Sequence, residues 1–208
     1  MSRTTRIPAT PRGFAAILEL YADAIPGRRY PEIRDHFARV ARRAPATLVR
    51  EGLKAALGAR DTPPFPAMVA RLFRTSDPKL RAALIEHLMR RLGANATTGL
   101  ATGTVDGAVL RTLSSEGRGP LPEEAARVRT DTVQRLAGRA ARHDPSVLDD
   151  VSDLFASHAG LAMNLDGIAL THAMATMANQ VRRPRKKSNQ KLVVRSTPKS
   201  ASKKRSSP

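Results

Sequence analysis

Five histidines, His36, His87, His143, His158 and His172, are the side chains best suited to metal ligation or proton transfer in this chain. A helical zinc site commonly places two histidines one turn apart, as in His-Glu-x-x-His, because positions i and i+4 share a face. None of the five has a second histidine at i+3 or i+4. His158 and His172 fall on neighbouring expected helices and are the one pair that could meet. A helix-end cation at His158 and an exposed or packed ring at His172 is the simpler account. Asp149, Asp150 and Asp153 form the densest carboxylate cluster, at spacings that share a helix face and could hold a cation or exchange protons. They also follow Asp144-Pro145 in the first turns of an expected helix, where acids suit the dipole, so a solvated acidic face is expected of them. The serines lack a Gly-x-Ser-x-Gly setting, Ser114-Ser115-Glu116 has no nearby histidine as base, and Gly52-Leu53-Lys54 lacks the glycines of a phosphate-cradling loop. With no cysteine, thiolate chemistry, disulfides and Cys-ligated zinc are excluded. The sequence assigns no catalytic residue, no metal ligand and no cofactor. A site assembled from distant residues stays open.

The residues that do point to a partner are cations. Arg182, Arg183, Arg185, Lys186, Lys187, Lys191, Arg195, Lys199, Lys203, Lys204 and Arg205 lie between residue 182 and the end at Pro208, with no acid among them. Of the formal net charge of +18, this stretch supplies +11. Interleaved with Ser, Thr, Pro and Ala, it cannot bury a core and is expected to stay extended by self-repulsion. Such a segment attracts phosphates through charge alone. Without aromatics it cannot stack on bases, so recognition should tolerate any sequence. A solubilising tail with no dedicated partner is the rival reading. Attachment to anionic lipid is a weaker one, because Leu192-Val193-Val194 is the only apolar island and is too small to anchor. Arg182 to Lys187 would suit nuclear import in a eukaryotic source.

Something must carry this tail. Over 208 residues, 41% hydrophobic and 26% charged content is ordinary for a globular protein, and 3% aromatics leaves Leu, Val, Ile, Met and Ala to build the core. The basic opening Met1 to Arg6 is followed by an apolar run cut at Glu19, too short for a signal-peptide core, although its composition would suit an organellar transit segment. The most apolar stretch, Leu161 to Met177, contains Asn164, Asp166 and His172, which argues against a membrane span.

Apolar spacing at i, i+3, i+4 and i+7 predicts an all-α protein. Residues 1–13 are expected to be disordered. A five-helix subdomain should occupy 14–92. Its stripes run through Phe14, Ile17, Leu18 and Tyr21; Ile33, Phe37 and Val40; Val49, Leu53 and Leu57; Met68, Val69 and Leu72; and Leu80, Leu84, Leu88 and Leu92. Pro31, the Asp61 to Pro66 connector and Asp77-Pro78 punctuate it. Residues 93–121, rich in Gly, Thr and Ser, read as a flexible linker. Gly99, Gly103 and Gly107 there have the spacing of a membrane packing motif, but interleaved Thr98, Thr102, Thr104 and Asp106 argue against one. A second helical bundle should fill 122–180, with Thr130 as an N-cap, Asp144-Pro145 as a second cap and proline device, and one last helix from Leu161 to about Asn179. Residues 181–208 complete the expectation as a disordered basic tail.

Tyr21-Ala22-Asp23-Ala24-Ile25-Pro26-Gly27, Asp61 to Val69 with Leu72-Phe73, the glycine-rich middle, and His143-Asp144-Pro145-Ser146 with His158-Ala159-Gly160-Leu161 resemble the YidB-like family of small bacterial helical proteins, over roughly residues 14–180. Greater arginine content, a middle less purely glycine and the basic tail depart from that pattern. The family's function is unassigned and no catalytic motif comes with it. The resemblance implies a bacterial, cytoplasmic setting.

Together these point to a non-enzymatic helical accessory that associates with nucleic acid through its tail. A protein-interaction or self-assembly scaffold with an incidental tail is the alternative, and an enzyme with an unrecognised site a third. No membrane span and no small-molecule ligand is expected, while a homo-oligomer or protein partner is compatible with the composition.

Overall fold

Proline and Asp punctuation, with apolar stripes between, sets the helix boundaries. The computed structural model describes residues 13–25, 27–93 and 119–182. Among these, the chain forms ten helices and no strand, so the fold is all-α. In order they are α1 Phe14–Glu19, α2 Ile33–Ala41, α3 Ala46–Gly58, α4 Phe65–Thr75, α5 Pro78–Leu92, α6 Pro122–Arg127, α7 Thr130–His143, α8 Val147–Ser157, α9 Ala159–Ala162 and α10 Gly167–Arg182. Asp77 caps α5 as its sequence suggests: its Oδ1 accepts the Leu80 backbone N–H at 2.9 Å, and Pro78 fills the first helical position, where a missing N–H costs nothing.

Three local expectations are corrected. Thr130 is already helical and Arg129 takes the cap position, where no side-chain cap bond forms. Asp144 does not cap α8 directly. It accepts the Ser146 backbone N–H at 2.9 Å and the Ser146 hydroxyl at 2.6 Å, an Asx turn that sets up the helix start at Val147. The last helix is two pieces rather than one. After α9 the chain turns through Met163 to Leu165, and Asp166 restarts it by accepting the Ile168 N–H at 2.9 Å. Asp166-Gly167 is a cap followed by a poor helix former, a break that the apolar content of Leu161 to Met177 obscures.

The larger correction concerns domains. Segments 14–92 and 122–180 do not form separate bundles, because their buried side chains make one hydrophobic core. The longest-range pairings interleave them: α10 packs along α3 and also touches α1 and α2, while α4 lies on α7 and α5 meets α6, α7 and α8. An apolar stripe announces that a helix must be covered and is silent about which helix covers it. Shared burial also has a size advantage, since a segment of roughly 60 to 80 residues hides a smaller fraction of its surface than the two combined. Most of the expected 93–121 linker, the 1–12 opening and the tail beyond Arg182 lie outside the described residues.

The α3–α10 contact is close because α3 presents a glycine. Gly52 is buried, and a Cβ built on it would stand 2.7 Å from Met177 Cγ and 2.9 Å from the Ala173 carbonyl oxygen. Methionine can swing away; a backbone oxygen in a packed helix cannot. Gly138 in α7 differs, since a Cβ there would meet Pro66 Cγ at 3.4 Å, an ordinary contact.

These two glycines make a matched test. Replacing glycine by alanine inside a helix gains about 1 kcal/mol in propensity, and Gly138→Ala should raise the urea midpoint accordingly. Gly52→Ala should lower it, because overpacking of about 1–3 kcal/mol opposes that gain. Equal stabilisation at both positions would show that Gly52 does not set the α3–α10 spacing.

Candidate nucleic-acid interface

Of the eleven tail cations, Arg182 alone lies among the described residues, and the structure removes it from the tail. α10 continues through Arg182, the last residue of the helix. Its guanidinium is bound by Glu19, through Nε and Nη2, and by Asp23, whose Oδ1 is 3.2 Å from Nη1. The Glu19 carboxyl is held below its usual range by the hydrogen bond from Arg182. Arg182 therefore clamps the end of α10 to the end of α1. Beside the phosphate-directed role expected of it, Arg182 has a structural one that composition does not show, because a carboxylate of α1 and another from the turn after it pair with it. Arg183 through Arg205 lie outside the described residues.

Most arginines of the folded body also have internal work. Arg29 pairs with Asp166 at 3.4 Å, Arg90 with Glu86 at 2.6 Å, and Arg129 and Arg135 both with Asp131. Arg81 donates to the carbonyls of Phe73 and Arg74 and covers the Phe73 ring, with 5.1 Å from its guanidinium carbon to the centroid. Arg28 lies over Tyr30 in the same manner. Among the described residues Arg34, Arg39, Arg42, Arg43, Arg60, Arg71, Arg74, Arg127 and Arg142 are exceptions, and four of these nine fall on α2 and the turn after it. Arg34, Arg39, Arg42 and Arg43 have no ion-pair or hydrogen-bond partner for their side chains, and three of the four are exposed. Sequence alone places Arg39, Arg42 and Arg43 at the helix C-terminus, where they suit the dipole. It has no means of showing that no acid in the described fold pairs with them.

α2 is tied to α1 by a buried polar contact. The Tyr21 hydroxyl and His36 Nδ1 are 2.7 Å apart, and the two rings meet edge-on. Burial pushes the Tyr21 phenol up to about 12, with the neighbouring Glu32 adding to the effect. Burial lowers His36 from its ordinary value, and the Arg39 cation lowers it further.

A second cationic surface is an open groove of about 610 Å³ where α4 meets α7, lined by Pro66, Asp131, Arg135, Gly138, Arg139 and Arg142. Asp131 neutralises part of it through Arg129 and Arg135. A smaller cleft of about 220 Å³ lies between the α1–α2 turn and α10, bordered by Ala22, Gly27, Asp61, His172, Thr176 and Asn179.

The carboxylates that stand out in the sequence are not a free face. Asp149 pairs with Lys54 at 2.6 Å and Asp153 with Arg50 at 3.5 Å, both cations on α3. Asp150 receives two bonds from Arg91 on α5, from Nε at 2.6 Å and Nη2 at 2.7 Å, and Arg91 also reaches Asp144 at 3.1 Å. The row bolts α8 to α3 and α5. His143 bonds the Arg91 carbonyl at 3.0 Å and His158 the Leu154 carbonyl at 2.9 Å, so both rings finish helix ends. His158 and His172 are not brought into contact by any bond, and among the described residues no three His, Asp or Glu side chains converge as a metal would need.

The Arg91 pair gives a pH signature. Arg91 holds Asp150 below the ordinary carboxylate range, so its stabilisation is complete above the unfolded value of about 3.9 and disappears as pH falls through the lower folded value. Arg91→Met should lower the urea midpoint at pH 7, and the gap to wild type should narrow below about pH 4. A gap that stays constant down to about pH 2 would show that the pair is not its source.

No family model matches the chain, and comparison with curated proteins and with solved structures returned no match.

Proposed function

We propose that this protein is a non-enzymatic accessory that associates with nucleic acid, without sequence preference, through the Lys/Arg-rich segment that follows α10. The observation that carries the reading is the charge distribution: eleven cations and no acid from Arg182 to Pro208, of which ten remain once Arg182 is bound to Glu19 and Asp23. A folded helical body ends in a helix whose last residue is pinned, and the cationic run begins at the next position. Duplex phosphates are the polyanion that best suits cations carried without aromatic or apolar companions. The YidB-like resemblance forms part of the reading and brings with it a bacterial, cytoplasmic setting. No helix among the described residues is long and apolar enough to cross a membrane.

The test uses the full chain with Arg183, Arg185, Lys186, Lys187, Lys191, Arg195, Lys199, Lys203, Lys204 and Arg205 all replaced by Gln. Binding of a labelled duplex DNA by wild type should fall with salt at a log-log slope of roughly −5 to −8, as expected for about 6 to 9 neutralised phosphates. The variant should lose most of that slope. Equal binding by both proteins, or none by either near physiological salt, refutes the reading.

One observation favours the scaffold alternative. Leu20 and Val181 are 47% and 46% exposed, and they adjoin Glu19 and Arg182, so two large apolar side chains flank the same clamp. If that surface joins two copies, the wild type should sediment as a dimer and Leu20→Ser with Val181→Ser as a monomer; monomers of both exclude this self-association.

A further inference from the structure

Three of the four arginines left without partners on α2 and the turn after it share one sector of the helix, and Arg34 lies outside it. Counting about 100° per residue, Arg39, Arg42 and Arg43 fall within an arc of about 100° that lies beside the buried arc of Ile33, His36, Phe37 and Val40 without overlapping it. Arg42 keeps helical backbone angles, and the Arg43 N–H still bonds the Val40 carbonyl at 2.9 Å, so the helical path extends beneath all three. Glu32 and Asp35 are the acids nearest in sequence. Both share this angular sector towards the N-terminus, Asp35 four residues before Arg39, but neither is bonded to the three guanidiniums, and Glu32 is turned to His36 at 3.4 Å. The surface is thus three guanidiniums side by side with no competing carboxylate bonded to them.

Its place in the fold gives this surface meaning. α1 ends in a short turn in which Glu19 and Asp23 hold Arg182, and Tyr21 between them bonds His36, about one turn before Arg39. The Arg182 clamp and α2 therefore engage the same turn after α1, through Glu19 and Asp23 on its exposed side and Tyr21 on its buried side.

We propose that Arg39, Arg42 and Arg43 form a folded phosphate-binding surface that takes the backbone of duplex DNA, in addition to the cationic segment that follows α10. The inference rests on the reading of the tail as a nucleic-acid-binding segment, and it adds an element of fixed geometry to a run of charge. Three guanidiniums on a rigid helix bind backbone phosphates at a set spacing and can each engage an oxygen pair. The tail brings only charge. The partner is the phosphate backbone, and base identity is not read.

The experiment compares four full-length proteins by anisotropy of a labelled mixed-sequence DNA duplex of about 20 base pairs over a salt series. They are wild type; Arg39→Ala with Arg42→Ala and Arg43→Ala; a control losing equal charge elsewhere through Arg60→Ala, Arg74→Ala and Arg127→Ala; and the ten-Gln tail variant. The α2 triple variant should show a slope shallower than wild type by about 2–3, since each arginine removed leaves one phosphate unneutralised. The control should change the slope by less than about 1. Matching slopes for the α2 variant and the control would overturn the proposal, because net charge alone would then account for binding. An unchanged α2 variant beside a tail variant that loses binding overturns the surface and leaves the tail reading intact. The reverse pattern refutes the tail reading while the surface stands, and loss of neither refutes both. Vesicles of phosphatidylglycerol and phosphatidylcholine form a parallel arm: an α2 defect confined to vesicle binding would assign the surface to lipid and overturn the DNA proposal. Urea midpoints within error of wild type establish that the α2 variant is folded, and if they drop, Arg→Gln at the same positions replaces it.

Discussion

The fold depends on how closely α3 and α10 approach. Gly52 allows Met177 and the Ala173 backbone to occupy the space a side chain would need, and this lets a helix from the last third of the chain lie along one from the first. Dispersion between packed atoms falls off steeply with separation, so a shift of about half an ångström along such a seam forfeits a good part of its contact energy. The other long-range pairings, α4 with α7, α3 with α8 and α5 with α6 to α8, close the same core around it. A core with few aromatics is suited to this arrangement. Phe37, Phe73 and Phe155 are its only buried side chains of that size with almost no exposure among the described residues, and the rest is mostly Leu, Ile, Val, Met and Ala, residues small or pliant enough to fill the gaps that crossing helices leave.

Electrostatics then fixes what packing brings together. Asp149, Asp150 and Asp153 each meet a cation on α3 or α5, so the polar side of α8 is engaged by its neighbours just as its apolar side is. These pairs are partly exposed, with Asp150 the most enclosed at 16%, and their contribution lies as much in choosing a register as in strength. The same logic separates structural arginines from available ones. Where an acid lies across a helix interface the guanidinium is occupied; on α2, past Phe37 and Val40, none does.

Much of the helical content is legible in the sequence because it is local. The Asp77-Pro78 start, the Pro63-Pro64 connector and the stripes through Leu53, Leu84 and Leu136 depend on neighbours a few residues away. Pairing at a distance is what the sequence hides. Nothing in Gly52 distinguishes a glycine that weakens a helix from one that admits a partner, and nothing in Asp150 names Arg91, 59 positions earlier. The expected division into two bundles fails for that reason: a Gly-rich stretch signals a boundary, yet a connection of the same composition serves two segments that share one interior. Arg182 shows the same limit, since charge composition groups it with the residues after it, while the helix before it and the acids at the end of α1 pair with it. Legibility of the candidate site divides along the same line, because the cationic run is a matter of composition and the α2 surface is defined by what does not lie opposite it.

The clamp at Arg182 has one further consequence. Glu19 and Asp23 offer a guanidinium two carboxylates one turn apart, an arrangement of oxygens and negative charge not unlike that of a phosphate group. Under the proposed reading, the clamp is an internal counterpart of the arginine–phosphate contacts assigned to the cationic run, and a polyanion bound there would meet it as a rival. All three side chains of the clamp are at least 40% exposed, so dissolved salt weakens the rival together with the ligand. The last described residue of α10 is thus held by charge as well as by packing, and its hold is sensitive to the ionic strength around it.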